Sequence, residues 1–372
     1  MSARFLTAVS GRAFNMRDRF GREIDYMRIS VIDSCNLNCY YCNPQDNNKN
    51  CQAINILSVK KVLCIVRAAT RLGITHFRLT GGEPLLHPQI DEMVSQIKKI
   101  PGVRSVSLTT NAVLLAQHAK QLKEAGIDSI NVSLDTIDAS EYEHITKKPL
   151  LDKVEHGIDA AIECGIRVKI NVVLTPQTDV VALTRYASKK GTDIRFIEMM
   201  PVGEGHTNGV EPYEKVIGAL LEVYGTPCHI DTENREEINS GYNNADNGPA
   251  EYYSFHGLDI RVGLIQAIHG KFCDTCNRIR VTADGRLIPC LGSSVTMDLV
   301  PDSCKFTDDL EKDFVIVQAL KAAIKAKPGC HNFNDNAVTF TKTTKTKTVE
   351  TKTTELKAAE VNAARNMSRI GG

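Results

Sequence analysis

The sequence contains no tryptophan, and aromatic residues make up only 6% of its 372 residues. A nucleic-acid surface built from stacked aromatic side chains is therefore not expected. Charge of one sign is also missing: 45 Lys and Arg face 44 Asp and Glu, a formal net charge of +1. That argues against a dedicated polyanion binder and leaves room for a local basic pocket. No apolar run reaches the roughly 18 residues of a membrane span. No secretory apolar core opens the chain either, and residues 1–17 carry Arg4, Arg12 and Arg17 with no acid. A cytoplasmic protein without a membrane or nucleic-acid partner is expected. The Gly-x-Gly-x-x-Gly turn of a dinucleotide fold is absent too.

What is present is cysteine. There are 12, too sparse for a small disulfide scaffold. Six fall into two tight groups, Cys35/Cys39/Cys42 and Cys273/Cys276/Cys290, while Cys51, Cys64, Cys164, Cys228, Cys304 and Cys330 are scattered. Such grouping in a long chain points to metal ligation in a reducing compartment.

Apolar, β-branched runs at 27–32, 77–79, 103–108, 130–134, 168–174 and 194–197 alternate with stretches of helical spacing near 58–72, 88–100, 114–125, 151–164 and 180–190. The alternation predicts a parallel sheet with right-handed crossovers, its strands read as continuous apolar runs buried on both faces. A doubly wound sheet and a barrel both fit. Polar or Gly-containing loops follow nearly every strand, and function spread over many strand ends is the barrel pattern. The expected fold is α/β: a partial (β/α)6 barrel with a smaller C-terminal region carrying the second cysteine group.

After Pro201 the pattern shortens. A helix near 213–223, strands near 252–255 and 260–265, an Asp284-Gly285 hairpin and a helix near 310–326 are expected. In residues 338–354, 13 of 17 are Thr or Lys, too little to bury, so a flexible segment is expected there. The implied organisation is an extension (1–17), the barrel (18–205), a second-cluster and substrate-binding region (206–330), the Thr/Lys-rich segment (331–355), and a C-terminal helix with a Gly-Gly tail (356–372).

Three thiolates at the spacing Cys35-x3-Cys39-x2-Cys42 can hold three irons of a [4Fe–4S] cubane and leave the fourth open. An open iron can chelate the amino and carboxylate groups of S-adenosylmethionine. A zinc site completed by Cys51 is the alternative. Tyr41 is placed to lie against an adenine. Gly81-Gly82-Glu83-Pro84 follows the second strand, where glycines let backbone approach a ligand and Glu83 can accept from an ammonium group. Cys273-x2-Cys276-x13-Cys290 has zinc alternatives of its own, completed by Cys304 or His269. Between its cysteines, Arg278 and Arg280 sit two apart on a β-like segment, so both point to one face, as suits a triphosphate.

Asp33-Ser34-Cys35-Asn36-Leu37-Asn38-Cys39-Tyr40-Tyr41-Cys42 with Gly81-Gly82-Glu83-Pro84 resembles the radical S-adenosylmethionine superfamily. The second cysteine motif enclosing Asn277-Arg278-Ile279-Arg280, together with the terminal Gly371-Gly372, resembles its GTP 3′,8-cyclase branch, which begins molybdenum-cofactor biosynthesis. The resemblance runs from about residue 18 to 324, plus the last few residues. It implies two [4Fe–4S] clusters, on Cys35, Cys39 and Cys42 and on Cys273, Cys276 and Cys290. It implies S-adenosylmethionine contacts from Tyr41, Gly82, Thr109, Ser133 and Met200, and GTP contacts from Arg28, Arg78, Lys169, Arg195, Arg278 and Arg280. Gly371 and Gly372 would reach the active site. The implied reaction abstracts hydrogen from ribose C3′ of GTP, joins C3′ to guanine C8, and resolves the product radical with an electron from the second cluster. A downstream cyclic pyranopterin monophosphate synthase and a homodimer are the implied partners.

Three departures stand out: Ser34 where the family has Arg, His76 where a substrate-binding Lys is expected, and Ala112 where Gly is usual. They keep other readings open: a radical enzyme with an auxiliary cluster acting on another substrate, or a zinc-stabilised paralogue without catalysis.

Overall fold

The six expected strands form and lie side by side in chain order. They are β1 (Tyr26–Ser30), β2 (His76–Thr80), β3 (Ser105–Thr110), β4 (Ser129–Ser133), β5 (Arg167–Val173) and β6 (Asp193–Ile197), each parallel to the next. The computed structural model describes residues 16–42, 54–202, 210–230, 248–293, 295–299, 309–331 and 333. Cys51, Cys304, Gly371, Gly372 and the Thr/Lys-rich stretch 338–354 lie outside the described residues, as does most of 1–17.

Strand order decides between the two expected architectures. A doubly wound sheet reverses direction at a switch point; here the order runs 1 to 6 without reversal. Right-handed crossovers that all step the same way put every helix on the same face. The helices are α1 (Val59–Thr70), α2 (Ile90–Lys98), α3 (Leu115–Glu124), α4 (Ala139–Thr146), α5 (Leu151–Glu163) and α6 (Val180–Lys189). Several start at side-chain caps: Ser58 accepts from Lys61 N, Asp138 from Glu141 N and Asp179 from Ala182 N. The short helix α4 was not expected from the sequence.

The expectation of continuous apolar strands is wrong, and the reason matters for function. Side chains alternate faces along a strand. The helix-facing positions are apolar and sealed: Met27, Ile29, Phe77, Leu79, Ile170 and Phe196 are all 0% exposed. Truncating one of these, such as Phe77, to alanine would cost about 3–5 kcal/mol. The intervening positions are polar: Arg28, Arg78, Ser107, Asn131, Lys169 and Arg195. One face of the sheet therefore belongs to the core and the other to a polar interior.

The C-terminal region extends both edges of this sheet. The remaining strands are β7 (Cys228–Ile230), β8 (Glu251–Ser254), β9 (Val262–Ile265), β10 (Arg278–Val281), β11 (Arg286–Ile288) and β12 (Met297–Asp298). Among the described residues the order is β12-β11-β10-β1-β2-β3-β4-β5-β6-β9-β8-β7. β9 runs parallel to β6 and β10 parallel to β1, so the barrel alternation continues past the six expected strands. A π-helical turn (Glu214–Gly218) leads into helix α7 (Ala219–Tyr224), which packs on α6. Helix α8 (Asp309–Ala326) packs on α1 and β11. The Asp284-Gly285 hairpin forms as expected between antiparallel β10 and β11.

The two edges meet again away from the sheet. Val202 after β6, Ile288 of β11 and Phe333 form a small apolar cluster, against which Met200, Ile268 and Leu291 pack. His331 adds a bond from Nε2 to the Ala267 carbonyl at 2.7 Å. The residues after β6, after β9 and after α8 thus close the open side of the barrel.

Candidate active site

The cysteine groups lie at opposite ends of the strands. Cys35, Cys39 and Cys42 follow the C-terminal end of β1. Cys273 and Cys276 precede the N-terminal end of β10, which runs parallel beside β1 with Arg28 opposite Arg280. Cys290 follows β11, which is antiparallel and so returns to that same end. Five residues of strand, about 16 Å, lie between the ends.

The first loop is pinned from several sides. Asn38 N bonds the Thr146 carbonyl at 3.0 Å and Tyr40 N the Ile145 carbonyl at 3.1 Å, which gives the unexpected α4 its role. Leu37 N points at the Cys35 sulfur at 3.4 Å and Asn111 Nδ2 at 3.8 Å. Burial pushes Cys35 up to about 12, and Cys42 up to about 11 with Asp135 adding to the effect. Free thiols are disfavoured as anions here, and a bound metal would favour the thiolates. Three soft sulfurs with N–H donors aimed at one of them fit an iron–sulfur cluster. Among the described residues, no three Cys, His, Asp or Glu side chains converge as they would round a single ion.

The loops after β2 and β3 complete this end. Gly81 and Gly82 are needed where the chain approaches itself. A Cβ on Gly82 would lie 2.2 Å from the Ser34 carbonyl oxygen, and one on Gly81 2.4 Å from that of Ile32. Gly82 N and Glu83 N bond those carbonyls at 2.7 and 2.8 Å. Glu83 is likewise committed to protein donors. Its oxygens accept from Leu85 N at 3.0 Å, Thr110 Oγ1 at 2.7 Å and Asn111 N at 2.7 Å. Burial still holds its carboxyl up at about 7. Tyr41 donates to Asp135 at 2.5 Å, and burial brings Asp135 up to about 6. Ser133, the last residue of β4, is exposed. Thr109 Oγ1 is buried without a hydrogen-bond partner among the described residues, as is Asn131 Nδ2. Met200 packs against the apolar cluster of Val202, Ile288 and Phe333. Ala112 has φ +63, a left-handed conformation that explains why a glycine is usual there.

Between the ends lies a layer of buried cations. Register places Arg280, Arg28 and Arg78 in one row across three strands, and Lys169 and Arg195 stand on β5 and β6. Lys169 is 1% and Arg195 2% exposed, so neither is the solvated edge residue that a lone Lys or Arg suggests. Arg78 donates to Ser107 Oγ at 3.0 Å. Arg195 donates to Asn171 Oδ1 at 2.9 Å and to Asn131 Oδ1 at 2.5 Å. These neutral partners orient the guanidinium without cancelling its charge. Burial, then Arg280 and Arg78, hold Arg28 well below the usual arginine range, and burial with Arg278 lowers Arg280 to about 10. Buried cations set this close repel one another, and an anion among them would relieve that repulsion.

The second cysteine group abuts this layer. Cys273 and Cys276 flank a 3-10 turn closed by Cys276 N on the Cys273 carbonyl at 3.2 Å. Lys327, 1% exposed, reaches in from the end of α8 and donates to the Cys276 sulfur at 3.3 Å, Arg278 O at 2.8 Å and Pro289 O at 3.1 Å. Burial would raise Cys276, but Arg278 and Lys327 overcome it and bring the thiol down to about 7. Arg22, paired with Asp18 at 2.6 Å, donates to the Cys273 carbonyl at 2.6 Å. Neither Lys327 nor Arg22 was expected at this site. His269 turns its Nδ1 to Glu198, which also accepts from Ile268 N at 2.6 Å. The additional thiol here is Cys330, 3.6 Å from the Cys273 sulfur.

Comparison with known proteins agrees with this geometry. A sequence profile described as the radical SAM superfamily matches residues 29–183, and one described as Molybdenum Cofactor Synthesis C matches residues 192–333. The chain is 36% identical over 322 residues to the GTP 3′,8-cyclase of Clostridium perfringens (strain SM101 / Type A), covering 86% of this chain and 95% of that protein. It is 36% identical over 320 residues to that of Listeria monocytogenes, covering 85% and 92%. Among solved structures, Streptococcus suis SuiB bound to S-adenosylmethionine superposes with a TM-score of 0.54 at 15% identity, over 80% of this chain and 65% of that one. Native anSMEcpe with bound AdoMet gives 0.50 at 17% identity, over 81% and 84%. These two likenesses speak for the fold. No helix of the described residues is long and apolar enough to cross a membrane.

Proposed function

The chain belongs to the radical S-adenosylmethionine superfamily and, within it, to the GTP 3′,8-cyclases, and on that premise we propose that it closes GTP into (8S)-3′,8-cyclo-7,8-dihydroguanosine 5′-triphosphate, the first step of molybdenum-cofactor biosynthesis. The observation that carries this reading is the row of buried cations held between two cysteine groups at opposite ends of one sheet.

Cys35, Cys39 and Cys42 would hold a [4Fe–4S] cluster that binds S-adenosylmethionine, and Cys273, Cys276 and Cys290 a second one. When bound, the first group supplies a 5′-deoxyadenosyl radical, and the second an open iron for the guanine base and an electron for the last step. The chain's own part is orientation and exclusion of water. Tyr41, Gly82, Thr109, Ser133 and Met200 would contact S-adenosylmethionine. The unpartnered Thr109 hydroxyl and Asn131 amide support a polar ligand above the cation layer. Arg28, Arg78, Lys169, Arg195, Arg278 and Arg280 would clamp the triphosphate and base. Their layer lies between the two ends, which suits a nucleotide held with its ribose toward the radical. Gly371-Gly372 would thread into the same cavity, since glycine needs no side-chain space. The cyclic nucleotide then requires a cyclic pyranopterin monophosphate synthase.

The test is an anaerobic turnover of the iron–sulfur-reconstituted protein with S-adenosylmethionine and a reductant, with and without GTP. GTP-dependent 5′-deoxyadenosine together with a cyclised nucleotide is expected. Deoxyadenosine without a nucleotide product would move the substrate elsewhere, and neither product would end the enzymatic reading.

A further inference from the structure

Cys330 belongs to neither cysteine motif. Its exposed thiol nevertheless lies 3.6 Å from the sulfur of buried Cys273. Several contacts hold this approach. Arg22 donates to the carbonyls of Cys273 and Pro328, both at 2.6 Å, and of Gly329 at 3.1 Å, so one guanidinium ties together the backbones that carry the two thiols. Asp18 locks Arg22 in place from within the same loop. On its far side the segment is anchored by His331 on the Ala267 carbonyl. Gly329 passes so close to Phe20 that a Cβ would stand 3.0 Å from its ring.

Two sulfurs at this separation are in van der Waals contact. Thiolates on different irons of one cubane stand farther apart, so Cys273 and Cys330 are not placed as two ligands of one cluster. The two sulfurs are about 1.5 Å beyond the 2.05 Å of a disulfide.

We propose that Cys273 and Cys330 form an oxidisable dithiol whose state decides whether the second cysteine group can take up its cluster. The consequence for loading rests on the reading of that group as a cluster site. The oxidant is a low-molecular-weight disulfide such as glutathione disulfide. Exposed Cys330 attacks one of its sulfurs and releases one glutathione. The Cys273 sulfur then attacks the Cys330 sulfur and releases the second. Two protein thiols give up two electrons and two protons, and the small disulfide takes both to become two thiols. The product leaves Cys276 and Cys290 without their third ligand. A thiol reductant reverses the change.

The test uses the full-length, iron-free chain incubated anaerobically with glutathione disulfide and then peptide-mapped by mass spectrometry. A Cys273–Cys330 cross-link is expected. Disulfides to Cys276 or Cys290, or glutathione retained on Cys330 without a cross-link, would overturn the pairing. The same samples are then loaded with iron and sulfide. Reduced wild type should take up about eight irons, oxidised wild type about four, and Cys330→Ser about eight after either treatment. Equal loading of oxidised and reduced wild type would overturn the gating. If reduced wild type itself stops at about four while the cross-link maps as expected, the two-cluster reading fails and the dithiol stands.

Discussion

The loop after β1 and the loop before β10 each present cysteines to the same barrel, yet their surroundings are opposite in charge. Around Cys35, Cys39 and Cys42 the buried ionisable neighbours are acids, Glu83 and Asp135, and burial drives the thiols upward. Around Cys276 they are cations, Arg278 and Lys327, and the thiol falls to about 7. In a low-dielectric interior such differences sort ligands before any contact is optimised. The acid-lined end suits a sulfonium and ammonium ligand. The cation-lined end, continuous with Arg28, Arg78 and Arg280, suits a triphosphate. Under the proposed reading, one scaffold would keep two ligands of opposite charge in their own halves.

The largest effects come from removing a thiol at either end. Cys35→Ser should abolish cleavage of S-adenosylmethionine altogether. Cys276→Ser should leave cleavage measurable and eliminate the cyclised nucleotide. Quantifying 5′-deoxyadenosine and nucleotide product in parallel checks both, and equal loss of both products in the two variants would break the division of labour.

Gly82→Ala attacks one end through packing alone. A Cβ 2.2 Å from the Ser34 carbonyl cannot be absorbed by a side-chain rotation, so backbone must move. The cost should be about 3 kcal/mol in thermal or denaturant unfolding. Iron loading should fall by one cluster, and the variant should keep the spectrum of the other. Wild-type stability would show that the two loops are not in the contact described.

Arg280→Ala tests the other end. Losing one charge-assisted contact should weaken GTP binding by about 1.5–3 kcal/mol, roughly 10- to 150-fold, with S-adenosylmethionine binding unchanged. Equilibrium binding of each ligand separates the two, and an equal loss for both would point to a collapsed barrel.

How much of this could be read beforehand differs between the layers. The strands were legible because Met27, Ile29, Phe77 and Leu79 mark one face so strongly. The same strength hid the alternation: the strands read as continuous apolar runs, when Arg28 and Arg78 mark their other face. The cysteine motifs and the two arginines of β10 were legible because their spacing is local. Arg22, Lys327 and Cys330 were not. Arg22 meets Cys273 from 251 residues away, and Lys327 meets Cys276 from 51 away, distances over which sequence carries no periodic signal. Lys327 read as the end of a helix and Cys330 as a scattered thiol. The glycines of the loop after β2 were legible as places of close backbone approach, and what presses on Gly82 in the structure is the cysteine loop's own backbone.

His76 offers the smallest and most discriminating change. It begins β2 beside Tyr26, with Nδ1 2.7 Å from Ser105 Oγ, on the face that carries Arg78. His76→Lys restores the residue type expected there and adds a full charge to the buried face that carries the cationic row. Like charges at short range repel, so the ligand-free protein should lose about 1 kcal/mol of stability. A triphosphate neutralises that repulsion, so GTP should bind about five-fold tighter, a gain of about 1 kcal/mol. The two signs must be opposite if the row is a polyanion site: the variant melts earlier alone and binds GTP better. A variant that is both less stable and a poorer GTP binder would mean that the added amine finds no phosphate, and the cations of β1, β2 and β10 would then have to be explained by the barrel's own packing.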